Sequence, residues 1–172
     1  MLLFWPCLWG LTLANNFTNN NMQYVIYFVY FFLGSVLMRS AGCIVNDILD
    51  RKYDKLVERT KDRPIASGKV STNLGLAYVI ILCLLSFLIL IQFNFVTILL
   101  GLASMPFAFS YPLMKRYTYW PQLFLGFTFN YGLIMAWFSI NPQFSYIPLI
   151  LYFGAIFWTC LLYTSPSPRD DE

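Results

Sequence analysis

Residues 22–45 read MQYVIYFVYFFLGSVLMRSAGCIV, and residues 46–69 continue as NDILDRKYDKLVERTKDRPIASGK. The first stretch is apolar and long enough to cross a bilayer as one helix, which takes about 20 residues. The chain then becomes densely charged, and residues 39–69, here called the charged segment, hold 8 of its 11 Lys and Arg residues. This change predicts a transmembrane helix whose polar end emerges at one face of the membrane.

The composition of the chain indicates an integral membrane protein. Of its 172 residues, 59% are hydrophobic and 11% are charged, whereas an average soluble domain has roughly 25% charged residues. The net charge of +3 is small and comes mostly from one segment, which argues against a nucleic-acid-binding surface. The chain has no histidine and no CxxC pair, so it lacks a zinc motif. Any catalysis must therefore use carboxylates, a metal ion or the leaving group of the substrate.

Uncharged stretches on either side of the charged segment predict further spans. Residues 70–114 carry no charge, and Gln92 and Asn94 divide them into two runs of about 20 residues each. Asn141 and Pro142 mark a turn in the next uncharged stretch. We predict an all-α fold, a polytopic transmembrane helical bundle with five full spans and an N-terminal partial span. The predicted partial span covers residues 1–13. The full spans are one at 22–45, two within 70–114, one at 121–140 and one at 146–163.

The distribution of basic residues predicts the orientation in the membrane. Two crossings separate the charged segment from the next basic pair, Lys115 and Arg116, so both patches should lie on one side. Loops on the cytoplasmic side are enriched in Lys and Arg. We therefore expect these patches to face the cytoplasm or the mitochondrial matrix. The start of the chain has no basic presequence, which favours the bacterial inner membrane over the mitochondrial inner membrane.

Four polar side chains in the charged segment predict a site for a cation and a polyanion. Asn46, Asp50 and Asp54 are spaced i, i+4 and i+8, and Asp47 lies within about one turn of Asp50, so the carboxylates share a helix face. Like charges at this spacing destabilise a helix by roughly 0.2–0.5 kcal/mol per pair. A bound cation would reverse that penalty. Mg²⁺ is the candidate, because it takes oxygen ligands from few carboxylates and completes its shell with water and phosphates.

The basic residues of the charged segment support the same interpretation. Arginine and lysine can hold a polyanion through charge-assisted hydrogen bonds, so carboxylates, Mg²⁺ and arginine together indicate a diphosphate site. The alternative is a non-catalytic membrane protein whose charged loop only anchors its topology through ordinary surface salt bridges. Against this alternative, Asn46 and Asp47 follow an apolar span directly, where desolvation is costly.

Three stretches of this sequence resemble the UbiA superfamily of intramembrane aromatic prenyltransferases. Residues 41–68, AGCIVNDILDRKYDKLVERTKDRPIASG, resemble its first aspartate motif, NDxxDxxxD, and the loop that follows. Residues 111–132, YPLMKRYTYWPQLFLGFTFNYG, resemble the segment after the fourth helix of the 4-hydroxybenzoate polyprenyltransferase branch. Residues 4–14, FWPCLWGLTLA, resemble the middle of the first helix of that branch.

The resemblance implies a Mg²⁺-dependent enzyme of ubiquinone biosynthesis embedded in membrane lipid. It would transfer the polyprenyl group of polyprenyl diphosphate to the ring carbon ortho to the hydroxyl of 4-hydroxybenzoate. By match to the motif, Asp47, Asp50 and Asp54 are the catalytic residues and, with Asn46, the metal ligands. Asn46 would also contact the diphosphate, and the diphosphate or the benzoate carboxylate would be contacted by Arg39, Arg63, Lys115 and Arg116. Another acceptor of the superfamily, such as a naphthoate, haem or a chlorophyll precursor, stays open.

The end of the chain departs from the family pattern. Members have nine helices and a second aspartate motif, YDTxYAxxDxxDD, after the sixth, whereas residues 157–172 read FWTCLLYTSPSPRDDE. Asp170 and Asp171 lack the spacing of that motif, and prolines precede them, so we assign no second site there. We expect residues 1–163 to form an incomplete transmembrane prenyltransferase domain and residues 164–172 to be a tail foreign to the family. We also expect such a fragment to be inactive by itself.

Overall fold

The computed structural model of the protein describes residues 2–18, 21–117 and 120–164. All regular secondary structure in these ranges is helical, which confirms the predicted all-α fold. The predicted turns at Gln92 to Asn94 and at Asn141 fall between consecutive helices. Residues 165–172, with Asp170 and Asp171, lie outside the described residues. The helices are α1 (Phe4–Thr18), α2 (Asn21–Asp54), α3 (Thr72–Leu90), α4 (Phe95–Tyr117), α5 (Pro121–Ile140) and α6 (Ile147–Thr164).

Helix α2 is 34 residues long and carries the predicted aspartates. It continues without a break from the apolar residues 22–45 into the charged segment, so that Asp54 is its last residue. Arg51 and Lys52 lie in its final turn, where positive charge interacts favourably with the helix dipole. The polar end of α2 is therefore a rigid extension of a membrane-spanning helix.

Among the residues that the structure describes, three helices are long and apolar enough to cross a membrane, namely α2, α3 and Gln122–Ile140 of α5. Shorter apolar stretches occupy α4 and α6, at Phe95–Ser110 and Ile147–Leu161. Helix α1 has 15 residues, consistent with the predicted partial span. Large apolar side chains are exposed on the outer faces of the helices, as expected for surfaces that contact lipid.

Helix α5 packs against α1, α4 and α6, while α2 packs against α1, α3 and α4. The contact between α1 and α5 depends on residues without bulky side chains. A Cβ atom at Gly132 would lie 2.5 Å from Cys7 Sγ, and one at Gly10 would overlap the carbonyl oxygen of Leu133. Small residues let helices approach closely in lipid, where association relies on packing and hydrogen bonds instead of the hydrophobic effect.

Polar side chains also join the helices through hydrogen bonds. Asn94, before α4, donates from Nδ2 to the carbonyl oxygen of Phe138 at 2.7 Å and accepts at Oδ1 from the Thr97 backbone N–H at 2.9 Å. Asn130 of α5 donates to Thr159 Oγ1 of α6 at 3.0 Å. These hydrogen bonds satisfy polar groups that would be costly to leave unpaired in an apolar environment.

Gly10→Ala should destabilise the protein, because the added methyl group forces α1 away from the backbone of α5. Overpacking of this kind costs about 1–3 kcal/mol. The matched control is Gly154→Ala, whose Cβ would meet no atom within 4 Å. That control should keep or raise stability, because Ala favours a helix over Gly by roughly 1 kcal/mol. Thermal unfolding in detergent, followed by circular dichroism, measures both, and equal midpoints would contradict the close approach of α1 and α5.

Candidate functional site

Arg63, in the loop after α2, bridges two of the predicted aspartates. Its Nη1 donates to Asp47 Oδ1 at 2.9 Å and to Asp54 Oδ2 at 3.1 Å. The Asp54 side chain is 12% exposed, and the Asp47 side chain is 28% exposed. These ion pairs are therefore more shielded from water than pairs between fully exposed side chains, which stabilise a protein by at most about 1 kcal/mol.

The loop brings Arg63 to this position through a series of turns. The Arg63 backbone N–H donates to the Thr60 carbonyl at 3.1 Å, and the Ser67 backbone N–H donates to the Arg63 carbonyl at 2.8 Å. Thr60 Oγ1 donates to the Asp54 carbonyl at 3.0 Å and so ties the loop to the end of α2. Gly68 has a φ of 80°, a backbone conformation that glycine adopts without strain. The backbone around Arg63 is thus held in place.

Two of the four predicted ligands share one partner. Asp47 and Asp54 meet at Arg63. Asn46 and Asp50 follow Ser35 by about three and four helical turns, so they continue the face of the helix on which Ser35 lies. Within the described ranges, no group of three Asp, Glu, Cys or His side chains is close enough to hold a metal ion. The aspartates occupy neighbouring turns of one helix, as predicted, but they do not converge on one point.

The Asp47 carboxyl group is partly buried and lies near other charged side chains. Asp47 lies beyond the apolar part of α2, and partial burial is the largest of the causes that raise the pKa of its carboxyl group. Arg63 lowers this pKa, the charges of Asp54 and Asp50 raise it, and the resulting pKa is above the ordinary value. Burial therefore outweighs the favourable charge of Arg63, and the ionised form of Asp47 is disfavoured relative to a carboxyl group in water.

The donor chemistry of this region fits Mg²⁺. This ion commonly takes one or two protein carboxylates and completes its octahedral shell with water and substrate phosphates, so three converging carboxylates are not required. Asp50 and Asp54 are one helical turn apart, and Asn46 adds an amide oxygen one turn earlier. The Asp54 carboxylate can also bind a cationic group, since it already accepts a hydrogen bond from the Arg63 guanidinium.

The predicted basic residues lie in different parts of the structure. Arg63 contacts the aspartates directly. Arg39 is exposed on α2, about two turns before Asn46. Lys115 and Arg116 are near the end of α4, and their side chains lie outside what the structure describes. Contacts of these last three residues with a ligand stay predictions.

Arg51 is a candidate that the motif does not single out. Its Nε is buried and has no hydrogen-bond partner among the described residues. It follows Asp47 by four residues, and this spacing places the two side chains on the same face of the helix. The spacing is the sequence feature that could have indicated Arg51 as a site residue. An unsatisfied buried donor is energetically costly, so Arg51 is a further candidate to contact an anionic ligand.

An apolar cavity of about 190 Å³ lies among α1, α2, α3, α4 and α5. On α2 it is lined by residues that include Gly34, Ser35 and Met38. The Ser35 hydroxyl donates to the Phe32 carbonyl of its own helix at 2.8 Å, which satisfies its hydrogen. Met38 precedes Asp47 by about 13 Å along the helix axis. The cavity is thus in the membrane-spanning part of the bundle, and the aspartates are farther along the same helix.

Comparison with known proteins identifies relatives of the chain. The sequence profile of the UbiA prenyltransferase family matches residues 3–171. Over 172 residues, the chain is 40% identical to a protein of Arabidopsis thaliana named 4-hydroxybenzoate polyprenyltransferase, mitochondrial, with 99% of this chain and 42% of that protein aligned. Over 174 residues, it is 40% identical to 4-hydroxybenzoate octaprenyltransferase of Vibrio campbellii, with 100% of this chain and 60% of the relative aligned. The chain spans about half the length of these curated relatives.

A solved structure shares the arrangement of the helices. The apo structure of a UbiA homolog from Aeropyrum pernix K1 aligns with a TM-score of 0.73 over 92% of this chain and 59% of the homolog, at 23% sequence identity. This likeness concerns the fold. Together with the helical bundle and the profile match across nearly the whole sequence, it leads to one conclusion: the chain belongs to the UbiA prenyltransferase family.

Proposed function

We propose that this chain provides the first aspartate site of a Mg²⁺-dependent prenyltransferase that transfers a polyprenyl group from its diphosphate to 4-hydroxybenzoate, in ubiquinone biosynthesis. The observation that carries the proposal is the placement of carboxylates and a guanidinium at the end of a helix that also lines an apolar cavity. Such a pairing suits a ligand with a charged head and a long apolar tail. The names of the relatives support 4-hydroxybenzoate as the acceptor.

The charged residues would act on the diphosphate. Asn46, Asp47, Asp50 and Asp54 are the residues proposed to hold Mg²⁺, which when bound supplies charge stabilisation to the leaving diphosphate. The Arg63 guanidinium lies at the same place and can bind phosphate oxygens through paired N–H donors. The remaining candidates to contact the diphosphate or the acceptor carboxylate are Arg39, Lys115 and Arg116.

The apolar cavity would act on the isoprenoid. It offers an apolar surface for the tail, while the allylic carbon becomes electron-poor as its bond to the diphosphate oxygen breaks. The electron-rich ring of the acceptor forms the new carbon–carbon bond and then loses its ortho proton. This sequence needs no nucleophilic side chain, so the absence of histidine from the chain is no obstacle.

The apolar helices and the basic loops support a location and an orientation in the membrane. The chain is an integral membrane protein, with apolar helices of spanning length and membership of a membrane enzyme family. Because basic loops favour the cytoplasmic side, we assign the charged segment to the cytoplasmic or matrix face. The bacterial inner membrane remains our prediction for its location, and the named relatives come from bacteria and from mitochondria.

A chimera tests the proposed function. In it, residues 1–163 of this chain replace the matching segment of the Vibrio campbellii relative, and the host strain lacks its own 4-hydroxybenzoate prenyltransferase. We expect the chimera to restore ubiquinone and its membranes to prenylate labelled 4-hydroxybenzoate. The control is the same chimera with Asp50→Asn.

Two outcomes would contradict the proposal in different ways. If the Asp50→Asn chimera forms as much product as the unmodified one, the charged segment serves only as a topology anchor. If membranes prenylate a naphthoate and leave 4-hydroxybenzoate unchanged, the reaction class holds and the acceptor is wrong.

A further inference from the structure

Arg63 and the predicted metal ligands compete for the same oxygen atoms. A single nitrogen, Nη1, contacts one carboxylate oxygen of Asp47 and one of Asp54. Asp54 is a proposed metal ligand, and its side chain is the most buried member of this group. A carboxylate that is committed to a guanidinium is less available to a divalent cation, because both interactions draw on the same negative charge.

We infer that Arg63 is an exchangeable internal counter-cation of the site. In the protein without ligand, Arg63 neutralises Asp47 and Asp54. When these carboxylates bind a divalent cation, Arg63 leaves them and transfers its guanidinium to the diphosphate. This inference rests on the proposed function and adds how binding at that site is regulated.

The geometry allows this exchange without unfolding of the loop. The Arg63 side chain is 39% exposed, so its guanidinium has room to turn. Its backbone stays anchored through Thr60 and Ser67, which hold the residue close to the end of α2. The planar fork of a guanidinium matches carboxylate and phosphate oxygens equally well, so Arg63 loses no hydrogen-bonding capacity when it changes partners.

The exchange has a defined thermodynamic consequence. Arg63 weakens binding of a divalent cation alone, because the cation must first replace it. Arg63 strengthens binding of the diphosphate once the cation is present. The two ligands therefore bind cooperatively, and by reciprocity each raises the affinity for the other by the same factor, commonly about 5- to 150-fold.

Arg63→Gln tests this inference through two affinities with opposite expected signs. Mn²⁺ serves as the probe for the divalent site, and electron paramagnetic resonance measures free Mn²⁺ in titrations of the complete chain in detergent. We expect Arg63→Gln to bind Mn²⁺ alone about fivefold more tightly than the unmodified chain. At saturating Mn²⁺, we expect it to bind inorganic diphosphate about fivefold more weakly.

Arg59→Gln is the matched control. Arg59 is an exposed arginine of the same loop, so this change removes the same charge at a distance from the bridging contacts. Both affinities should stay within about twofold, because exposed charges are screened by salt. Arg63→Lys should shift both affinities with the same signs as Arg63→Gln but by less, since an ammonium cannot reproduce the fork of a guanidinium. This variant decides the question if Arg63→Gln does not fold.

The outcomes separate this inference from the proposed function. If Arg63→Gln leaves Mn²⁺ affinity unchanged or weakens both affinities while helicity is kept, Arg63 has only a structural role and the inference is wrong. In that case, loss of Mn²⁺ binding in Asp54→Asn would still support the proposed metal site. If neither the unmodified chain nor Arg63→Gln binds Mn²⁺, the inference and the proposed metal site both fail.

Discussion

Asp50→Asn and Asp54→Asn should each weaken Mg²⁺-dependent binding of polyprenyl diphosphate by roughly 100-fold. Removal of a residue that only orients a metal ligand already costs about 10- to 100-fold in affinity, so loss of a ligand charge should reach at least the upper end of that range. Asparagine keeps the size and shape of the side chain, which limits structural effects. In Asp54→Asn the ion pair with Arg63 is lost as well. Retention of radiolabelled polyprenyl diphosphate by the purified chain, with and without Mg²⁺, measures the loss.

Asp62→Asn is the matched control for both variants. Asp62 is an exposed aspartate in the loop that follows α2, and the change removes the same unit of charge. The affinity of Asp62→Asn for polyprenyl diphosphate should remain within about twofold of that of the unmodified chain, because an exposed charge outside the site is screened. If all three variants bind alike, total charge and not the aspartate motif controls binding, and the charged segment is a topology anchor.

Gly34→Phe should block the isoprenoid tail and leave the charged head of the ligand unaffected. Gly34 lines the cavity, and a Cβ there would meet no atom within 4 Å, so the new ring can enter the cavity without displacing the helix backbone. Each buried CH₂ group contributes about 0.8 kcal/mol. Displacement of one five-carbon isoprenoid unit should therefore cost up to about 4 kcal/mol, and we expect polyprenyl diphosphate to bind at least about tenfold more weakly.

The specificity of the Gly34→Phe effect can be checked in two ways. Inorganic diphosphate, which has no tail, should bind equally well to the variant and to the unmodified chain. Val36→Phe places the same ring at an exposed position of the same helix and should change neither affinity. Equal loss of diphosphate and polyprenyl diphosphate binding in Gly34→Phe would mean that the cavity does not hold the tail.

The local pattern of the sequence was sufficient to predict where the helices lie. Apolar runs of spanning length, separated by polar turns such as Gln92 to Asn94, predicted where α3 and α4 meet. The spacing of Asn46, Asp50 and Asp54 predicted that the helix continues past its apolar part, and α2 does end at Asp54. These properties depend on hydrophobicity, charge and periodicity along a short stretch of chain, so they can be derived before any tertiary contact is known.

The ion pairs of the aspartate site could not be predicted from the local sequence pattern. Shared helical spacing predicted carboxylates on one face, but it could not indicate that Asp47 and Asp54 would turn toward Arg63. Their partner is 16 residues beyond Asp47 along the chain. Its position depends on how the loop folds back, which involves hydrogen bonds between groups that no periodic pattern relates.

The sequence by itself therefore determined the all-α membrane fold, the helix that bears the aspartates and the resemblance to the UbiA superfamily. Only the tertiary structure decided that Arg63 contacts two of those aspartates, that Gly10 and Gly132 allow α1 and α5 to touch, and that five helices line a cavity. The physical reason is that charge and hydrophobicity act within one segment, whereas ion-pair partners and cavities arise from the packing of segments that are distant in sequence.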